Sequence, residues 1–261
     1  MEFVRPLLMG IVNVTPDSFS DGGLFLDPAR AVAHAQRLAA DGAGVLDIGG
    51  ESTRPGYTPV SAEEEIARVV PVLRGLADVG LPLSIDTSKA EVARAAIAAG
   101  ATMVNDVWGL TRDPEMAAVC AGAGVEVVAM HNREAVDPAV DILADIDRMF
   151  DASLALAARA GIAAGRLVLD PGIGFGKTPA QNVAALMAVP RWRARGHRVL
   201  IGVSRKRIIG TLTGRADQPA GERLAGTLTA HLRAAMLGAH ILRVHDVAEH
   251  RDALAVWAAL A

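Results

Sequence analysis

Residues 82–107 read "PLSIDTSKAEVARAAIAAGATMVNDV", and this stretch decides the fold. Two short β-type runs, 82–87 and 102–107, flank the alanine-rich helical pattern of 88–99, and Gly100 punctuates the join. Each run ends in a polar group, Asp86 in the first and Asn105 in the second. A strand, a helix and a second strand with no proline- or serine-rich linker form the unit of a parallel α/β fold.

The same unit recurs along the 261 residues. Strands are predicted at 7–14, 44–49, 82–87, 102–107, 125–131, 166–170, 198–204 and 240–245, which makes eight. Helices are predicted near 28–41, 61–78, 88–99, 113–122, 139–163, 180–189, 220–237 and 247–260. Pro28 stands at a first helical position, and Ser61 with Glu64 reads as a capping box. Eight units in a chain of this length favour a closed (β/α)8 TIM barrel, a single domain over 1–261, rather than an open doubly wound sheet. Hydrophobic residues make up 51% of the chain but aromatic ones only 3%, so the core is aliphatic, as suits helices packed around a parallel sheet.

A net charge of −3 without runs of lysine or arginine gives no footprint for nucleic acid. The lone cysteine, Cys120, has no intramolecular partner and lies in the helix-like "PEMAAVCAGAG", so it reads as a buried structural thiol in a reducing compartment. No uninterrupted apolar stretch reaches the roughly 18 residues of a membrane span, and "MEFVRPLLMG" is too short for a signal sequence. The expected location is cytoplasmic.

A barrel of this type carries its chemistry at the C-terminal ends of its strands. The polar residues there are Asn13, Asp47, Asp86, Asn105, His131, Asp170, Ser204 with Lys206, and Arg243 with His245. Three carboxylates and an asparagine around one mouth suit either a metal cage or a nitrogen-rich heterocycle. A buried carboxylate needs a partner. A ligand edge with two adjacent N–H donors, such as that of a 2-amino-4-oxo pterin, supplies one by paired hydrogen bonds. Arg54, Arg243 and His245 gather positive charge on what reads as the other side, which suits a phosphate or diphosphate.

"DPGIGFGKT" is a decoy: Pro171 stands where a phosphate-binding P-loop needs its first glycine, and Lys177 where a dinucleotide fingerprint needs its third. It reads instead as a strand-to-helix turn that positions Asp170. "NVTPDSFSDGG" after the first strand and "STRPG" after the second read as long mobile loops suited to close over the mouth, with Phe19 offering an apolar surface to an aromatic ring.

From "MGIVNVTPDSFSDGG" through "DIGGESTRPG", "SIDTSK", "VNDVWGL", "LDPGIGFGK", "GVSRKRIIG" and "ERLAGTLTA" to "GAHILRVHDV", the chain resembles the dihydropteroate synthases. These join 6-hydroxymethyl-7,8-dihydropterin diphosphate to p-aminobenzoate in folate biosynthesis, releasing diphosphate and 7,8-dihydropteroate. The resemblance implies that Asn13 holds Mg²⁺ with the substrate diphosphate, and that Thr53, Arg243 and His245 contact that diphosphate. It places Asp86, Asn105, Asp170 and Lys206 on the pterin, with Ser204, Phe19 and Pro55 near p-aminobenzoate. It also implies a homodimer.

Lys206, Asp86, Arg243, His245 and Arg54 are the expected catalytic group; within it Arg54, Arg243 and His245, with Mg²⁺ at Asn13, neutralise the departing diphosphate and so favour an SN1-like displacement. The stretch "MHNREAVDPAV", 130–140, departs from the family pattern, so His131 reads equally as a structural group or a ligand contact. Two alternatives are a methyltetrahydrofolate-binding barrel of the corrinoid methyltransferase kind and a non-catalytic pterin-binding homologue. "NVTPDSFSDGG" together with Arg54, Arg243 and His245 argues against the first, and intact Asn13, Asp86, Asp170 and Lys206 against the second.

Overall fold

The computed structural model describes residues 5–15, 27–51 and 59–260. Eight strands close into a barrel in chain order. They are β1 (Leu7–Asn13), β2 (Val45–Gly49), β3 (Leu83–Asp86), β4 (Met103–Asp106), β5 (Glu126–Met130), β6 (Leu167–Asp170), β7 (Arg198–Ile201) and β8 (Ile241–Val244). Every neighbouring pair is parallel, and β1 seals the barrel against β8 with Met9 opposite Arg243.

The helices among the described residues form the outer layer. They are α1 (Pro28–Ala40), α2 (Ala62–Gly75), α3 (Ala90–Ala98), α4 (Met116–Ala123), α5 (Ile142–Ala160), α6 (Pro179–Met187), α7 (Val189–Arg193), α8 (Arg207–Leu212), α9 (Leu224–Met236) and α10 (Val247–Leu260). As expected, Pro28 opens α1, behind an Asp27 cap that accepts from the Ala29 N–H at 2.9 Å. Ser61 caps α2 through the Glu64 N–H at 3.1 Å. The Glu64 carboxylate does not close the box, however; it pairs with Arg68 one turn on. The reciprocal box lies instead at Thr178 and Gln181, at the start of α6. Cys120 is buried on α4, and burial pushes its thiol up to about 12, as befits a structural group. No helix among the described residues is long and apolar enough to cross a membrane.

Side-chain alternation divides the interior into two cores. One lies between barrel and helices, where Phe150 of α5 meets Trp192 of α7 edge to face, with ring centroids 5.5 Å apart. The other fills the lumen with Met9, Val45, Met103, Val128, Val168, Leu200 and Ile241. Two residues further along a strand the side chain faces the lumen again. Asp47 follows Val45 in this way, Asn105 follows Met103, Asp170 follows Val168 and Arg243 follows Ile241. An apolar plug thus carries a polar layer on its C-terminal side.

Candidate active site at the C-terminal mouth

The centre of the polar layer is an ion-paired cluster. Arg243 Nε donates to Asp47 Oδ2 at 2.6 Å, and Arg243 Nη2 donates to Asp86 Oδ2 at 2.7 Å. Asn105 Nδ2 donates to the same Asp47 oxygen at 3.1 Å. The sequence reading set a carboxylate side against a cationic side, but the structure joins them at Arg243. Asp47, fully buried, organises the cluster by holding both Arg243 and Asn105.

Two acids share one guanidinium here, so the cluster itself is negative. The second carboxylate oxygens, Asp47 Oδ1 and Asp86 Oδ1, are buried with no partner among the described residues, as is Ser84 Oγ. Such atoms are costly unless a ligand donates to them. Burial pushes the Asp86 carboxyl up to about 7; the Arg243 guanidinium opposes that rise, and the Asp47 charge adds to it. Burial also works against the Arg243 cation, but Asp47 and Asp86 outweigh it and hold the guanidinium above its ordinary value.

Asp170 and Lys206 form the adjoining wall. Asp170 Oδ1 accepts from the Gly172 N–H at 2.8 Å, and burial raises its carboxyl above the ordinary range against the pull of Lys206. Lys206 Nζ donates to the Ile173 carbonyl and lies 4.5 Å from the centroid of the Phe175 ring. Burial lowers its ammonium to about 8, opposed by Asp170 and Asp86.

The turn carrying Ile173 and Phe175 is braced from behind. Lys177 Nζ is buried, with the Gly172 carbonyl and His131 Nδ1 each 2.8 Å away and the Phe175 carbonyl at 3.1 Å. The other ring nitrogen of His131, Nε2, meets Asp145 at 3.2 Å. Both His131 nitrogens are engaged, so this residue is a structural brace. Gly172 has φ +67°, and a Cβ there would stand 1.8 Å from the His131 carbonyl oxygen, so the turn admits only glycine.

The loop after β7 corrects the sequence reading. The strand ends at Ile201 rather than at 204, and Val203–Lys206 is a turn, closed by the Lys206 N–H on the Val203 carbonyl at 3.2 Å and with Arg205 at φ +58°. This turn carries Lys206 into the mouth and leaves Arg207 exposed at the first position of α8. Lys206→Ala is therefore expected to lower turnover far more than Arg207→Ala, by steady-state kinetics on both variants; equal losses contradict the placement. Ser204 Oγ accepts from the His245 backbone N–H at 3.1 Å and lies 2.9 Å from its Nδ1, which ties the β7 and β8 loops together.

Asn13 ends β1 on the lumen side, opposite Gly49. Among the described residues no cluster of three or more His, Cys, Asp or Glu side chains forms a cage for a metal ion. The amide oxygen of Asn13 at this strand end is a hard donor of the kind that fits Mg²⁺ bound with its substrate's phosphate oxygens rather than in an all-protein cage. Phe19, Thr53, Arg54 and Pro55, and with them the two mobile loops expected after β1 and β2, lie outside the described residues.

Sequence reasoning missed one group at this rim. Lys89 pairs with Glu51 and, at 2.5 Å, with the buried Glu65 of α2, while Glu51 Oε2 accepts from the Val60 N–H at 3.2 Å. The available signal was the lone cation of "DTSK" against "SAEEE".

Residues 9–245 match the model of the pterin binding enzyme family. The chain is 44% identical to the dihydropteroate synthase of Clostridium beijerinckii over 251 residues, which cover 95% of this chain and 92% of that protein. It is also 44% identical to that of Bacillus subtilis over 244 residues, 93% and 84% of the two chains. Its backbone superposes on a Xanthomonas albilineans dihydropteroate synthase solved with 4-aminobenzoic acid at a TM-score of 0.93, with 52% identity over 98% of this chain and 93% of that one. A structure of the Xanthomonas enzyme in complex with 7,8-dihydropteroate gives a TM-score of 0.90 at 50% identity, covering 100% and 95%. Fold, strand-end residues and near full-length similarity agree: the chain belongs to the pterin binding enzyme family, among its dihydropteroate synthases.

Proposed function

We propose that this mouth condenses 6-hydroxymethyl-7,8-dihydropterin diphosphate with p-aminobenzoate, and that its own residues take the roles that follow. The observation that carries the reading is the pair of orphaned oxygens, Asp47 Oδ1 and Asp86 Oδ1, beside Asn105, Asp170 and Lys206. A pterin edge rich in N–H donors satisfies acids held in this way, and the Lys206 ammonium meets its carbonyl side. The Xanthomonas relative's complexes with 4-aminobenzoic acid and 7,8-dihydropteroate support the same arylamine substrate and the same product.

An arylamine is a weak nucleophile, so the gain lies in making the pterin methylene a stronger electrophile. The C–O bond breaks with its electron pair leaving on the diphosphate, the amine nitrogen forms the new C–N bond, and the amine proton passes to solvent. To that departing charge we assign Arg243, which Asp47 and Asp86 hold in place, and His245, together with Arg54 and Thr53. Fixed cations in a water-poor cleft act without reorganising. Phe19, Pro55 and Ser204 form the proposed p-aminobenzoate side. Asn13 would hold Mg²⁺ together with the substrate diphosphate, and the ion, when bound, would supply further neutralisation of the leaving group. The assembly is proposed to be a cytoplasmic homodimer, to which the exposed Met236 of α9 and Val256 of α10 offer apolar surface.

Steady-state turnover of the two substrates with Mg²⁺, measured across pH, tests this reading. Asp86 must be ionised to accept from the pterin and is raised to about 7, so kcat/KM rises as pH climbs through 7. Lys206 must be charged and is lowered to about 8, so kcat/KM falls as pH climbs past 8. The expected profile is a narrow bell with its maximum between these values. A flat profile contradicts the assigned roles of Asp86 and Lys206, and absence of product at every pH contradicts the reading itself.

A further inference from the structure

Behind the mouth, on its helix side, two histidines lie buried against each other. His231 of α9 and His250 of α10 have ring centroids 4.9 Å apart, and His231 Nδ1 lies 2.8 Å from His250 Nε2. Each remaining nitrogen reaches a catalytic loop. The Val203 N–H donates to His231 Nε2 at 3.1 Å, and His250 Nδ1 lies 2.6 Å from the Asp246 carbonyl oxygen.

One assignment of protons satisfies these three contacts together. A backbone N–H can only donate, so His231 Nε2 accepts and its Nδ1–H donates to His250 Nε2; the His250 Nδ1–H then donates to the Asp246 carbonyl. Both rings are neutral, since a second proton on either sets N–H against N–H. Burial, with His250, Lys206 and His245 nearby, likewise drives the His231 imidazolium well below its ordinary range.

The two ends of this chain are informative. Val203 immediately precedes Ser204, Asp246 immediately follows His245, and Ser204 bonds His245 on the mouth side. The whole is a closed ring: Ser204 to His245 facing substrate, His231 to His250 facing the core. Arg205 reinforces it, with Nε on Asp246 Oδ2 at 3.0 Å and its N–H on Thr227 Oγ1 at 3.1 Å. An apolar pair of the same volume would fill the space, but it could neither accept from Val203 nor donate to Asp246.

We propose that His231 and His250 are positioning residues for the reaction, a neutral hydrogen-bond relay that fixes the Val203–Lys206 turn against the β8 loop so that Ser204, Lys206 and His245 face the substrates together. The kinetic part of this inference rests on the function proposed above; the proton assignment does not.

Imidazole ¹⁵N–¹H spectra of the wild-type protein at pH 7 test the relay without any turnover. Both rings are expected as neutral Nδ1–H tautomers, and an imidazolium or an Nε2–H tautomer at either position overturns it. His231→Phe, assayed below its melting temperature, is expected to lower kcat/KM by about ten- to a hundredfold through misplacement of the loop. His231→Gln, whose amide can accept from Val203 and donate to His250, is expected to recover most of that loss. Wild-type kinetics in folded His231→Phe, or no recovery in His231→Gln, overturns the positioning role. If His231→Phe does not fold, His250→Leu replaces it under the same criteria. If the wild-type protein makes no product, the function reading fails while the spectra still decide the relay.

Discussion

Replacing Arg243 with alanine is expected to abolish measurable turnover and to destabilise the folded protein by about 3–5 kcal/mol, because it strands Asp47 and Asp86 without their shared counter-ion. Urea unfolding of Arg243→Ala and of the double variant Asp47→Asn/Arg243→Ala separates the two effects. Removing one stranded charge is expected to restore part of the stability while leaving the enzyme inactive. Arg243→Lys is expected to fail as well, since one ammonium cannot reproduce the two-pronged contact to Asp47 and Asp86. In any variant with residual activity the acid limb of the pH profile moves upward, because Arg243 is what holds the Asp86 carboxyl down. An Arg243→Ala protein within about 0.5 kcal/mol of wild type, the range of an ordinary surface change, contradicts this account of the cluster.

Asp170→Asn is expected to weaken binding of the pterin substrate by about 1.5–3 kcal/mol, the worth of a buried hydrogen bond to a charged group, with the fold intact. That is roughly a tenfold to more than a hundredfold loss of affinity. The fold survives because the asparagine oxygen can still accept from the Gly172 N–H, as Asp170 Oδ1 does at 2.8 Å. Binding suffers because the amide NH₂ then opposes a ligand donor where a carboxylate oxygen accepted one. Calorimetric titration with the pterin diphosphate measures the loss, and unchanged affinity removes Asp170 from the binding site.

Strand placement was legible wherever an apolar run ended in a turn former. β1 to β6 and β8 lie within a residue of the predicted bounds at either end, since a parallel strand buried on both faces reads as an apolar run. β7 was overextended because Gly202 and Val203 continue the apolar run of 199–201; the path of that segment is set by contacts remote in sequence, from His231, Thr227 and Asp246. The short helices α7 and α8 span 5 and 6 residues, too few for a period to register.

At the site, the residue types and their convergence on one rim were legible, because a barrel gathers every strand end at one mouth. Their pairing was not. Arg243 lies 196 residues from Asp47 in sequence, and only barrel closure brings them together. The same holds for Lys177, whose buried amine reaches His131 across 46 residues.

The most direct measurement of the central claim is the balance of products. Purified protein is incubated with 6-hydroxymethyl-7,8-dihydropterin diphosphate, p-aminobenzoate and Mg²⁺, with diphosphate quantified by an enzymatic assay and 7,8-dihydropteroate by mass spectrometry. The account predicts both products in equal amounts, dependent on the arylamine and absent with Arg243→Ala. Folded wild-type protein that releases no diphosphate, or releases it without forming 7,8-dihydropteroate, would contradict it.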